Sequence, residues 1–241
     1  MTTAMATQRK GQGEGKPKAA KAAKTAALAK ADKSSAVTVA APNFRVGLFR
    51  IRGTSPYVQC KFSEKAKEDM RKKQEEGSTA KRGEKRQAKD FKACYEAAIH
   101  RSTEGWCGIP ASAFRNAMIS ACRTVGYQMT RAKLAVFIEA DGFDPDGTGL
   151  VKITKGQPKQ HEAIGRNTTG VCDIRVRAMW EPGWEAEIRV KFDADLLRIE
   201  DITNLLMRVG MQVGVGEGRH DSRASNGLGW GCFDLVQNGS V

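Results

Sequence analysis

The order in which apolar periodicities follow one another from residue 44 onward sets narrow limits on the fold. The segment FRVGLFRIRG alternates, with Phe44, Val46, Leu48 or Phe49, and Ile51 at strand positions and Arg45, Arg50 and Arg52 between them. From Pro110, which suits a first helical position, Phe114, Ala117/Met118, Ala121/Cys122 and Val125 recur at three-four spacing until Gly126 offers a stop. LAVFIEA (134–140) reads as a buried strand. VCDIRVRAMW (171–180) and WEAEIRVKFD (184–193) alternate on either side of Glu181-Pro182-Gly183, which is the pattern of a hairpin. Ile199, Ile202, Leu205/Leu206 and Val209 mark a second amphipathic helix ending at Gly210. A closing strand is expected after it, in a tail made of MQVGVG, a glycine-rich loop and GCFDLV. The order is strand, helix, strand, strand pair, helix, strand, a βαββαβ core with one strand added, which predicts an α+β domain of the ferredoxin-like (RRM-like) kind, with two helices on one face of an antiparallel sheet.

What interrupts that order is polar. Residues 1–42 are a near-repetitive run of Ala, Lys, Gly, Thr and Ser, which buries too little surface to offset its ordering entropy and is expected to be a disordered basic tail. One domain, 43–241, is expected beyond it. Residues 61–100 form a first insertion. They begin with SEKAKEDMRKKQEE, charged on every side, continue through the basic GSTAKRGEKR, and regain helical apolar spacing in DFKACYEAAIH. A second, Gly/Asp/Thr-rich insertion spans 141–170 and contains LVKI at 150–153. Of a net charge of +13, residues 1–42 carry +6 and residues 43–100 carry +7, while 101–241 hold 17 basic and 17 acidic side chains. Positive charge gathered in this way favours a polyanionic partner, because neutralised phosphates release their counterions.

Several chemistries are excluded. Cys60, Cys94, Cys107, Cys122, Cys172 and Cys232 contain no C-x-x-C pair, so zinc knuckles and thioredoxin-like redox sites have no basis. The start MTTAMATQRK leads into lysines instead of an apolar signal segment, and no apolar run reaches membrane-spanning length. The expectation is therefore a cytoplasmic protein with buried free thiols. The stretch DGFDPDGTG (141–149) fails as an EF-hand, since counting from Asp144 puts Lys155 where the bidentate Glu belongs; a solvated turn is expected, with no metal and no cofactor.

The most distinctive stretch is GVGEGRHDSRASNGLGWGCF. Gly214, Gly216 and Gly218, then Gly227, Gly229 and Gly231, flank a polar loop with Arg219, His220 and Arg223. Such glycines let the backbone approach a ligand and turn amides toward phosphate; they equally permit close packing of strands. Arg219 stands where a Rossmann fingerprint has its third glycine, and no G-K-[ST] follows as in a P-loop.

An apolar strand after the second helix, running into G-x-G, a polar loop and G-x-G-x-G, resembles the C-terminal glycine-rich loop of the repeat-associated mysterious protein (RAMP) superfamily, the RNA-binding and RNA-processing subunits of CRISPR systems. The likeness extends over about residues 44 to 236, and Gly214, Gly216, Gly227 and Gly229 match the motif; the interval between Gly216 and Gly227 exceeds its compact form. The tail end is also similar to that of uncharacterised bacteriophage proteins. The resemblance to the superfamily's backbone subunits implies non-catalytic, largely sequence-independent RNA binding by a protein that stacks with copies of itself or joins an effector complex. Candidate contacts to the nucleic acid are Arg50, Arg52, Lys72, Lys73, Lys81, Arg82, Lys85, Arg86, Arg219 and Arg223, the four matching glycines, and Trp230 as a stacking face. Some family members cleave RNA with a histidine, which makes His220 the candidate general acid/base, ahead of His100 at a helix end and His161 in the long loop. A third alternative is a phage-associated structural or interaction protein with a basic tail.

Overall fold

The strand Glu185–Asp193 organises the domain because it alternates without a break: Ala186, Ile188, Val190 and Phe192 are buried, and the residues between them are half-exposed. In the computed structural model this strand, β9, pairs antiparallel along one edge with β1 (Phe44–Gly53), from Phe44↔Asp193 to Arg52↔Glu185. Its other edge is shared by β4 (Val136–Glu139) and β6 (Gly149–Lys155). The short β10 (Phe233–Leu235) pairs with the free edge of β1, and β3 (Gly108–Pro110) and β5 (Gly142–Phe143) extend β6, making a seven-stranded sheet. The structure describes residues 39–62, 67–68, 71–72, 74–75, 89–166, 172–221 and 227–236. The chain divides into two units, Met1–Ala41 and Pro42–Val241. Of the first, the described residues 39–41 are exposed and outside helix and strand.

The sheet's buried face is covered by α2 (Ala111–Ala121) and α4 (Ile199–Arg208). Phe114, Ala117, Met118, Ile119, Ile202, Leu205 and Leu206 join Ile51 and the inner row of β9 in one core. In α2 the predicted apolar face is present, but Pro110 is the cap residue before the helix. The last turn, Cys122–Val125, tightens to a 3-10 geometry that ends at Gly126 (φ 69°) and swings Val125 outward, 46% exposed. The result is an α+β domain with antiparallel sheets; among the described residues four α-helices have both ends defined, and no helix there is long and apolar enough to cross a membrane. All six cysteines are unpaired, but only Cys122 is buried, and Cys60 and Cys172 are exposed.

The structure corrects the sequence reading at five places. In β1 the inward row is Gly47, Phe49, Ile51 and Gly53, while Phe44, Val46 and Leu48 face outward and are exposed. Glycine occupies inner positions because other side chains fill the space above them. A Cβ at Gly47 would lie 2.6 Å from Ile199 Cδ1, and one at Gly53 would overlap the Trp184 indole.

The second correction concerns the expected hairpin of 171–180 with 184–193. β8 (Cys172–Trp180) and β9 do not pair with each other; β8 belongs to a separate three-stranded sheet, β2–β8–β7, with β2 at Tyr57–Gln59 and β7 at Lys159–Arg166. Glu181-Pro182-Gly183 is a corner between sheets. The Gly183 N–H donates to Gly53 O, the Gly53 N–H donates to Trp184 O, and the fully buried Trp180 and Trp184 lie on either side, with Tyr57 against both. The true hairpin is β7–β8, from Lys159↔Met179 to Arg166↔Cys172, and β7 lies inside the region expected to be an irregular insertion.

Third, part of LAVFIEA is helical. α3 (Met129–Ala135) takes Leu134 and Ala135, leaving β4 only four residues long. Fourth, the helix expected to stop at Gly210 continues as a π-turn, Val209–Val213, so MQVGVG begins in helical backbone and the closing strand is β10, after the glycine loop. Gly210 explains the wide turn: a Cβ there would overlap the Phe233 carbonyl, so helix and strand touch backbone to backbone. Fifth, the turn at 141–149 is not fully solvated, because Asp144 is only 2% exposed. In the first insertion, α1 (Phe91–Ala98) is capped by Asp90, whose carboxylate accepts the Ala93 N–H at 3.0 Å, and residues 67, 68, 71, 72, 74 and 75 are helical.

Candidate functional site

A cleft of about 760 Å³ opens where the two sheets meet. Its floor is β2 continued into Cys60, one wall is the flank of α2, and the other is formed by the β7–β8 hairpin with the glycine loop. The helix wall presents Ser112, Asn116 and Ser120, whereas the opposite wall presents Arg175 and Arg177 from β8, Arg219, and the half-buried indole of Trp230. Arg175 and Arg177 share a wall because strand side chains two apart point to the same side. Arg177 donates through Nε to the Glu217 carboxylate and through Nη1 to Val176 O at 3.0 Å; Arg219 Nη1 donates to Gly216 O at 3.0 Å. Arg175 lies across β7 at Gly165, where a Cβ would collide with its Nε. Trp230 is seated on Gly218 and meets the His161 ring edge-on at 5.5 Å between centroids.

The glycine loop is held mainly by packing. The Gly214 N–H donates to Val209 O, Val215 N–H to Gly231 O, Glu217 N–H to Val58 O, Trp230 N–H to Gly218 O and Gly231 N–H to Pro56 O. The two glycine runs are thereby stitched to each other and to β2, so these amides are not available to a phosphate. Gly216 (φ 83°) sits so close to Tyr57 and the Val58 carbonyl that a Cβ would fall 2.6 Å from each.

At one end of the cleft His100 approaches the buried Asp144, Nδ1 to Oδ2 at 3.3 Å, and its backbone N–H donates to Gln59 Oε1 at 2.9 Å. Burial pushes the imidazole below its ordinary pKa, and the Asp144 carboxylate opposes this only in part. Burial pushes the Asp144 carboxyl up, but hydrogen bonds from the Thr148 N–H, His100 and Lys61 reverse it and hold it below the usual carboxylate range. Lys61 bridges Asp144 and Asp146 at 3.3 and 2.8 Å, and Lys67 reaches Asp146 at 2.7 Å. Lysine ammonium groups and backbone amides therefore occupy the positions a cation would need. On the cleft floor, desolvation by the surrounding walls raises the pKa of the Cys60 thiol and opposes its ionisation, although the residue keeps an exposed surface.

Of the residues expected from sequence, Gly216, Arg219 and Trp230 line this cleft. Gly214 and Gly229 shape the loop behind it, against Trp230 O and the His220 ring, and Gly227 adopts a left-handed φ of 66°. His220 is exposed beside Gly229 and is not part of the lining, and His161 is on β7 instead of in a loop. Arg50 and Arg52 lie on the sheet face away from the helices, paired with Glu187 at 3.2 Å and Glu185 at 2.8 Å. Lys72 is exposed on a helical stretch, and Lys73, Lys81, Arg82, Lys85, Arg86 and Arg223 lie outside the described residues. Sequence reasoning missed Arg175, Arg177 and Asn116; the alternate arginines of D-I-R-V-R-A were the available signal, but they read only as strand periodicity.

In comparisons with known proteins, no family model and no curated protein matches this chain.

Proposed function

We propose that this protein binds single-stranded nucleic acid, RNA in preference to DNA, along the cleft, with little sequence specificity. The observation that carries the reading is the convergence of Arg175, Arg177 and Arg219 with the Trp230 ring on one wall: guanidinium groups for phosphates beside an aromatic face for a base. A ferredoxin-like core is supported by the order β10–β1–β9–β4, all antiparallel, with α2 between β1 and β4 in sequence and α4 between β9 and β10; the glycine loop precedes the closing strand instead of following it as the RAMP resemblance implies. Self-association, as a filament or within a cytoplasmic effector complex, is supported by the outward apolar row Phe44, Val46 and Leu48, which a monomer leaves in water.

The test is fluorescence anisotropy of the full chain with a labelled single-stranded RNA across a salt series. Each of Arg175→Ala, Arg177→Ala and Arg219→Ala is expected to weaken binding and to lower the log–log salt slope by about 0.7. Unchanged affinity in all three removes the cleft from binding. A second reading, RNA cleavage, is favoured by His100 instead of His220, because only His100 reaches the cleft and is oriented by a buried carboxylate. Metal-independent cleavage lost in His100→Gln would establish it, and cleavage that persists in that variant would dismiss it.

A further inference from the structure

The two walls of the cleft differ in charge, and the difference is built in. α2 and its 3-10 extension carry two arginines near the cleft, and both are turned elsewhere. Arg115 donates to Val136 O at 3.0 Å and to Lys133 O in α3, and Arg123 is paired with Asp221. What remains toward the cleft is neutral and hydrogen-bonding: Ser112 and Asn116, both exposed, and Ser120. These three are spaced four residues apart, so they stand on one side of the helix with a rise of about 6 Å per step, close to the repeat of an extended nucleotide chain. A strand whose phosphates met the arginine wall would turn sugars toward this neutral wall.

Resting on the nucleic-acid reading above, we propose that Asn116, flanked by Ser112 and Ser120, is the residue that distinguishes RNA from DNA by hydrogen-bonding a ribose 2′-hydroxyl. The chemistry matches. A 2′-hydroxyl both donates and accepts, and so does a carboxamide, through Oδ1 and Nδ2. The Ser120 hydroxyl is engaged by the Asp221 carboxylate, which leaves its oxygen to accept. Among the described residues, the charged groups at this wall are engaged by partners of their own, Arg115 by backbone carbonyls and Arg123 by Asp221, so the discrimination is carried by hydrogen bonding and not by phosphate attraction.

The experiment measures the affinity of the full chain for one sequence synthesised as RNA, as DNA and as 2′-O-methyl RNA. Wild type is expected to prefer RNA, with 2′-O-methyl RNA falling toward DNA. Asn116→Ala is expected to weaken RNA binding about three- to tenfold, the worth of one net hydrogen bond, while DNA binding stays within twofold. Ser112→Ala, at an equally exposed position, is expected to act in the same direction, and unchanged thermal melting of both variants shows the fold intact. Equal wild-type affinity for RNA and DNA, or an Asn116→Ala loss of the same factor for both, overturns this assignment and leaves nucleic-acid binding standing. Absence of binding to all three oligonucleotides overturns the underlying reading as well.

Discussion

Arg175 can lie flat across β7 only because residue 165 has no side chain. Gly165→Val places branched carbons where the guanidinium runs, so the arginine must swing away from the cleft. The expected outcome is an RNA affinity as low as that of Arg175→Ala with a melting temperature close to wild type, since the obstacle is the end of a flexible side chain on an exposed hairpin; unchanged affinity would mean that Arg175 does not contribute. A second residue-scale consequence belongs to His100. Its pKa is lowered in the folded protein, so below about pH 6.5 the unfolded chain binds protons first and stability falls as the pH falls. Wild type should therefore lose more stability than His100→Gln between pH 7.5 and 5 in denaturant melts, and equal losses would show that the imidazole is not buried as neutral.

Among the elements, the corner between β8 and β9 holds the two sheets together. Trp184 fills the space over Gly53, touches Tyr57 and Phe233, and donates from Nε1 to Ser55 O at 2.9 Å. Trp184→Ala should cost about 3–5 kcal/mol, read from chemical denaturation, as for other buried large-to-small changes. The sequence was most informative where side chains themselves report burial. The helix faces of α2 and α4 and the unbroken alternation of β9 were all legible, and the βαββαβ order rested on them. It was least informative where backbone or glycine does the packing: the phase of β1 was hidden by Gly47 and Gly53, and the π-turn by the Gly210–Phe233 contact. β7 was hidden for a different reason: KQHEAIGR is exposed on much of its surface, with Ile164 81% accessible, so no apolar alternation marks it. The cleft was legible in part, through Arg219 and Trp230; its other arginines come from a strand whose partner no local pattern identified.

For the whole molecule, charge and fold act at different ranges. The tail carries +6 of the net charge, and under the proposed reading the cleft's arginines would act only at contact distance. Replacing Lys16, Lys18, Lys21 and Lys24 with Gln in the full chain should slow association at low salt and shrink the salt slope, while the ratio of wild-type to Arg175→Ala affinity stays the same. If that ratio collapses to one, tail and cleft form a single binding surface. The cleft's width is a further property of the whole molecule, because it depends on how the small sheet is set against the large one. Tyr57 lies between Trp180 and Trp184 with ring centroids 5.5 and 5.4 Å away, and all three rings are buried. A jaw whose pivot is three interlocked aromatic rings is shaped before its ligand arrives. Calorimetry should then find a heat-capacity change on binding no larger than the covered surface accounts for, without the excess that accompanies a segment folding onto its partner.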